Sequence, residues 1–169
     1  GSDGAGKTEQ VRRLASALRK QGLRLVVTGE PGGTPFGRKL RRILLDPATG
    51  HLDPLSEALL YEAARVEHLR HVIGPALRAG KTVLCSRFSD STLAYQGAAR
   101  GLERARLAAL DSWVRAGLEP DLTLVLDLPT DEGLRRVRGR GKADRFESEG
   151  LRLQRKVRKF FLGLSRKEP

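Results

Sequence analysis

The opening eight residues constrain this chain more than any other stretch. Gly1-Ser2-Asp3-Gly4-Ala5-Gly6-Lys7-Thr8 follows the pattern G-x-x-x-x-G-K-[ST] immediately before a helical run. Glycines let successive backbone N–H groups turn toward one anion, and the helix N-terminus adds its positive end. In such a loop the Lys7 ammonium reaches the terminal phosphates of a nucleotide and the Thr8 hydroxyl ligates Mg²⁺. A glycine turn that only capped a helix would not need the lysine and threonine in register.

Periodicity then sets the architecture. Val11, Leu14, Ala15 and Leu18 recur at i, i+3, i+4, i+7, which predicts a helix over about 7–20. Gly22 ends it, and Leu23–Thr28 reads as a buried strand. A short helix carries Leu40, Ile43 and Leu44, and a long one after Pro54 carries Leu55, Leu59, Ala63, Val66, Leu69 and Ile73 as its apolar face. Thr82–Cys85 and Leu122–Asp127 read as two further strands. Between them Leu107, Leu110 and Val114 line a helix in which Trp113 is read as packing. Leu134 and Val137 belong to another helix, and Leu151, Val157, Phe160, Phe161 and Leu164 to the last. Strands separated by helical crossovers imply a parallel sheet covered on both faces, an α/β fold.

Composition narrows the class. A chain of 169 residues suits one domain, 1–169, since domains of ~150 residues already bury about 68–70% of their unfolded surface. No apolar run approaches the ~20 residues of a membrane span, and no signal peptide is visible. A single cysteine, Cys85, excludes an internal disulfide framework and fits a reducing cytoplasm. Methionine is absent, so residues upstream of Gly1 are expected. Residues 135–169 hold 13 basic and 4 acidic residues, +9 of the chain's +12. Without interleaved aromatics or a recognised module, that charge reads as a solvated amphipathic helix and not as a nucleic-acid surface.

Two more motifs follow strands, where ligands lie in α/β sheets. Glu30-Pro31-Gly32-Gly33-Thr34 follows the first. The other strand runs into Cys85-Ser86-Arg87-Phe88-Ser89-Asp90-Ser91-Thr92-Leu93-Ala94-Tyr95-Gln96-Gly97, a loop offering a guanidinium, hydroxyls, an aromatic ring and an amide. Such groups can grip a phosphorylated nucleoside.

The phosphate loop, EPGGT, RFSDSTLAYQG, PDLTLVLDLP (120–129) and ADRFESEG (143–150) come in an order that resembles bacterial thymidylate kinases, over residues 1–168. The resemblance implies a P-loop three-layer fold, a parallel sheet flanked by helices, here lacking its first strand and its C-terminal strand and helix. It implies phosphoryl transfer from Mg²⁺·ATP to dTMP by a cytoplasmic homodimer, with no nucleic acid and no membrane involved. ATP would sit on Gly1, Ser2, Asp3, Gly4, Ala5, Gly6, Lys7 and Thr8, with Mg²⁺ at Thr8. Asp3 resembles the acid that faces the sugar 3′-hydroxyl of the acceptor. Tyr61 and Arg65, one helical turn apart on one face, resemble the pair that stacks on and hydrogen-bonds the base. Arg87 resembles the arginine that holds the acceptor phosphate, while Tyr95 and Gln96 resemble residues that close around sugar and base. Glu30, Pro31 and Ser91 complete the substrate set. Arg140, Lys142 and Arg145 fall in a lid at about 135–150, where Arg140 or Arg145 would stabilise the transferring phosphoryl group.

The sequence departs from the resemblance at four places. Ser86 stands where an aspartate precedes the arginine, and Glu9 where a serine or threonine is usual. Ala64 precedes Arg65 in place of Asp or Asn, and Ala98-Ala99 follow AYQG in place of Tyr-Gly. Glu9 would repel a bound phosphate by roughly 3 kcal/mol at ~5.5 Å and an effective dielectric near 20. These departures favour an alternative, a nucleotide-binding pseudokinase of the same fold with little or no turnover. Asp90 could stand in for the missing aspartate only if its loop folded back.

Overall fold

The computed structural model describes residues 1–139 and 144–167. Helix α1 (Lys7–Lys20) begins at Gly6, whose φ of 86° is left-handed, and ends at Gly22, φ 84°. Strand β1 (Leu25–Gly29) pairs in parallel with β2 (Thr82–Ser86), from Leu25 opposite Thr82 to Gly29 opposite Ser86. Helix α1 packs on both strands. The carboxyl ends of the strands therefore open side by side, next to the phosphate loop.

Between the strands, α2 (Pro35–Leu45) starts on a Thr34 cap that accepts the Gly37 N–H at 2.9 Å. Helix α3 (Pro54–His68) starts on Asp53, which accepts the Leu55 N–H at 2.8 Å. It widens into a π-helical turn, Leu69–Ile73, and continues as α4 (Gly74–Arg78). After β2, the stretch expected to be a loop is helical: α5 (Ser89–Thr92) runs into a second π-helical segment, Leu93–Ala99. Then follow α6 (Arg104–Arg115), α7 (Thr130–Arg138), α8 (Arg145–Ser148) and α9 (Gly150–Lys167). Helix α9 covers the second π-helical segment, so Ala94, Tyr95, Ala99, Phe146, Leu153, Val157 and Phe161 close into one core.

Three expectations are corrected here. Leu122–Asp127 forms no strand among the described residues, and Leu122 and Leu124 are 75% and 64% exposed. A strand needs a hydrogen-bonding neighbour as well as an apolar run, and among the described residues the sheet holds only β1 and β2. Helix α3 is turned the other way round. It buries Glu57, Ala58, Glu62, Ala64, Arg65 and His68, while Leu55, Leu59 and Val66 are 51%, 48% and 43% exposed. Its inward face is polar because Glu57, Glu62, Arg65 and His68 are paired there with one another or with groups from other parts of the chain. Trp113 is not packed at all; it is an exposed side chain of α6.

Candidate active site

A cleft of about 810 Å³ opens between the phosphate loop and the carboxyl ends of the two strands. At one end the loop presents Asp3, Gly4, Gly6, Lys7 and Thr8. Gly4 has φ 77°, and a Cβ there would overlap the Gly133 backbone of α7. Only glycine satisfies both the turn and the close approach. The Lys7 ammonium lies back across the loop, bonded to the carbonyls of Ser2 at 2.6 Å and Gly1 at 3.1 Å.

On the opposite wall, Arg87 follows β2 with φ 66°, an uncommon backbone state for a residue with a Cβ. Its guanidinium lies 5.2 Å from the Tyr95 ring centroid and is hydrogen-bonded to Asp3 and, at 3.3 Å, to the Tyr95 hydroxyl. Burial works against that charge, but Tyr95 and Asp3 hold it firmly in place. The Asp3 carboxyl is also disfavoured by burial, yet Arg87 and Lys7 outweigh this and hold it below the usual range. Tyr95 donates to Asp3 at 2.9 Å. Burial pushes the Tyr95 and Tyr61 phenols upward, so both stay neutral.

Tyr61 lines the cleft with its ring 6.3 Å from Phe146, which stands edge-on to Tyr95 at 5.6 Å. These three rings pack against one another at the edge of the core and form an aromatic wall of the cleft. Beside it Arg65 is almost wholly buried. It donates to Glu30 at 2.9 Å, Glu62 at 2.5 Å, Asp111 at 2.8 Å and Thr92 at 2.9 Å. Four of its five N–H donors are thus used, leaving one Nη2 hydrogen without a partner among the described residues. Glu30 also meets His68 at 3.0 Å, and His68 meets Thr28 at 2.6 Å.

Most of the residues expected from the sequence do meet here: Glu30, Pro31, Tyr61, Arg65, Arg87, Ser91, Tyr95 and Gln96 all line the cleft with the phosphate loop. Ser86 lines it too, at the end of β2. Gly1, Ser2 and Ala5 shape the loop without lining the cleft. Arg145 does not reach the cleft. Its Nε donates to the Leu44 carbonyl at 2.8 Å and its Nη2 to Glu57 at 2.5 Å, so it ties α8 to α2 and α3. Glu57 is wholly buried and also receives Gln96 and Arg100, each at 2.6 Å, so it recruits cations that would otherwise be free for ligand. Arg140 and Lys142 lie outside the described residues. Asp90 borders a separate hollow with Thr123, Val125 and Asp127 and does not replace a carboxylate at Ser86. Glu9 lines the cleft, but Arg12 and Arg13 hydrogen-bond it at 2.6–2.9 Å and pull its carboxyl down to about 2. The repulsion expected of it is met by two adjacent cations.

Other cleft residues were not anticipated as site residues, among them three arginines and a phenylalanine. Arg38 and Arg41 come one turn apart from α2, Arg136 from α7, and Phe146 from the DRF triplet. The i, i+3 spacing of the two α2 arginines, opposite the buried Leu40 and Leu44, was the available signal. With Lys7, Arg65 and Arg87, the arginines Arg38, Arg41 and Arg136 make the cleft strongly cationic.

A glycine-rich anion loop feeding a helix, at the carboxyl edge of a parallel sheet and facing a second basic pocket, defines a P-loop nucleotide-binding phosphotransferase. Comparison with known proteins narrows the class. The family described as thymidylate kinase matches residues 1–169. The thymidylate kinase of Pseudomonas fluorescens strain Pf-5 is 50% identical over 169 residues, covering 100% of this chain and 80% of that protein. That of Deinococcus radiodurans is 49% identical over 169 residues, covering 100% and 82%. A crystal structure of thymidylate kinase from Ehrlichia chaffeensis superposes with a TM-score of 0.77 at 34% identity, covering 99% of this chain and 78% of that one. The chain belongs to the thymidylate kinase family.

Proposed function

We propose that this chain transfers a phosphoryl group from ATP to dTMP, giving ADP and dTDP. The observation that carries the reading is one cleft in which Lys7 and Thr8 face Tyr61, Arg65, Arg87 and Tyr95. The phosphate loop holds the donor, and Lys7 leaves the Gly1 and Ser2 carbonyls for its terminal phosphates. Tyr61 stacks on the base while the remaining Arg65 N–H bonds it. Arg87 exchanges Asp3 for the acceptor phosphate, and Asp3, released from Arg87, faces the sugar 3′-hydroxyl. Glu30 orients Arg65; Ser91 and Gln96 line the acceptor side. Catalysis is positioning and charge stabilisation with no covalent intermediate.

Thr8, exposed at the head of α1 within the cleft, offers an oxygen where donor phosphates would lie. That fits Mg²⁺, which takes one or two protein oxygens and fills its shell with phosphates and water. Bound there it would offset phosphate charge. Residues 135–150 act as the lid of a single domain, with Arg140 as the phosphoryl-stabilising arginine now that Arg145 is committed to Glu57. The exposed stripe of Leu55, Leu59 and Val66 supports a homodimer built on α3. No described helix is long and apolar enough to cross a membrane; the lone thiol and the ATP-dependent reaction support a cytoplasmic setting. The test is ADP release with dTMP, dUMP and dCMP as acceptors. Strong preference for dTMP is expected, and equal release without any acceptor would refute the reading.

A further inference from the structure

Gln154 has no part in the reading above, yet it is 1% exposed and meets the phosphate loop from 151 residues away. Its Oε1 accepts the Asp3 backbone N–H at 3.2 Å and its Nε2 donates to Asp3 Oδ2 at 2.8 Å. An N–H must meet the amide oxygen and a carboxylate must meet the amide nitrogen, so both bonds form in only one orientation of the side chain. Its neighbours Leu153 and Val157 are buried in the core, which anchors that part of α9. Arg87 and Tyr95, the other donors to Asp3, line the cleft and can turn to a ligand; Gln154 does not line it. Lys7 waits 3.8 Å from Asp3 Oδ1 and would attract a carboxylate free to rotate.

We propose that Gln154 is a positioning residue for the acceptor, fixing the orientation of the Asp3 carboxylate toward the sugar hydroxyl. This rests on the reading that Asp3 faces the 3′-hydroxyl. It makes the helix after the lid part of the recognition of that hydroxyl.

Binding calorimetry of Gln154→Leu with dTMP and with its 3′-deoxy form tests it. Affinity for dTMP should fall about tenfold, while affinity for the 3′-deoxy form and for ATP changes less than twofold. Equal losses on both acceptors would mean that Gln154 only supports the fold, and would overturn the proposal. Asp3→Asn separates the two layers. If it lowers dTMP affinity selectively and Gln154→Leu does not, the positioning role alone fails. If Asp3→Asn leaves dTMP affinity unchanged, the reading of Asp3 fails and this inference with it. Should Gln154→Leu not fold, Gln154→Glu keeps the acceptor for the Asp3 N–H and sets a second carboxylate against Oδ2. Its dTMP affinity should then drop at pH 8 and recover toward pH 5, as the facing carboxyls share a proton. A profile matching the parent's would overturn the proposal.

Discussion

Tyr61 shows how a single side chain can pack against the core and line a cleft together. Its ring packs against Phe146, which meets Tyr95 edge-on, while still lining the cleft. Stacking a base on an aromatic ring contributes about 1–3 kcal/mol, so Tyr61→Ala should weaken dTMP binding by that amount in calorimetry. Unchanged affinity would place the base elsewhere. Ser86 poses the sharper question. It ends β2 in the cleft, and Asp90 faces a different hollow, so no carboxylate on this loop does the work that an aspartate at position 86 would do. A preorganised charged group commonly contributes ~10²–10³ in rate. Ser86→Asp should therefore raise dTMP-dependent ADP release at least tenfold with little change in ATP affinity. Equal rates would make the carboxylate dispensable.

At the scale of elements, helix α3 explains what a sequence can and cannot tell. The stripe Leu55, Leu59, Val66 is real, but periodicity says only that a face is apolar, not what covers it. Here the fold spends the other face on Glu57, Glu62, Arg65 and His68, and the stripe stays open. Leu59→Glu should lower the apparent mass in analytical ultracentrifugation from dimer to monomer without unfolding the chain; an unaltered mass would place self-association elsewhere. The same helix carries Glu62, whose Oε2 is buried without a hydrogen-bond partner among the described residues. Burial raises its carboxyl above the usual range and the neighbouring Asp111 and Glu30 add to this, against the pull of Arg65. A raised value favours the protonated form in the fold. Its stabilising contribution is full below the ordinary value near ~4.3 and is lost as pH rises through the folded one. The melting temperature of Glu62→Gln relative to the parent should therefore climb between pH 4 and pH 7. A flat or falling difference would contradict that assignment. By contrast α1, α2, α7 and the β1–β2 pair were legible, because caps, glycine stops and short apolar runs are local signals. Leu122–Asp127 was not, because a ladder depends on a neighbour that no local pattern encodes.

Over the whole molecule, a net charge of +12 gathers partly in a cleft where Lys7, Arg38, Arg41, Arg65, Arg87 and Arg136 surround the space between loop and strands. The phosphate loop and the acceptor motifs were readable as residues, since each follows a strand or opens a helix. Their convergence was not, and neither was the diversion of Arg145 into a buried pair with Glu57. That diversion follows from long-range desolvation: a carboxylate buried among helices demands cations, wherever in the chain they come from. On the proposed function, the two halves of the cleft bind donor and acceptor for direct transfer. Incubation with ATP labelled on its γ-phosphorus and unlabelled dTMP, followed by separation of the nucleotides, tests this most directly. Label should appear on dTDP in one-to-one proportion with ADP, and Lys7→Ala should abolish it. If ATP and dTMP both raise the melting temperature while no label reaches dTMP, the chain binds its ligands without turnover and the claim is contradicted.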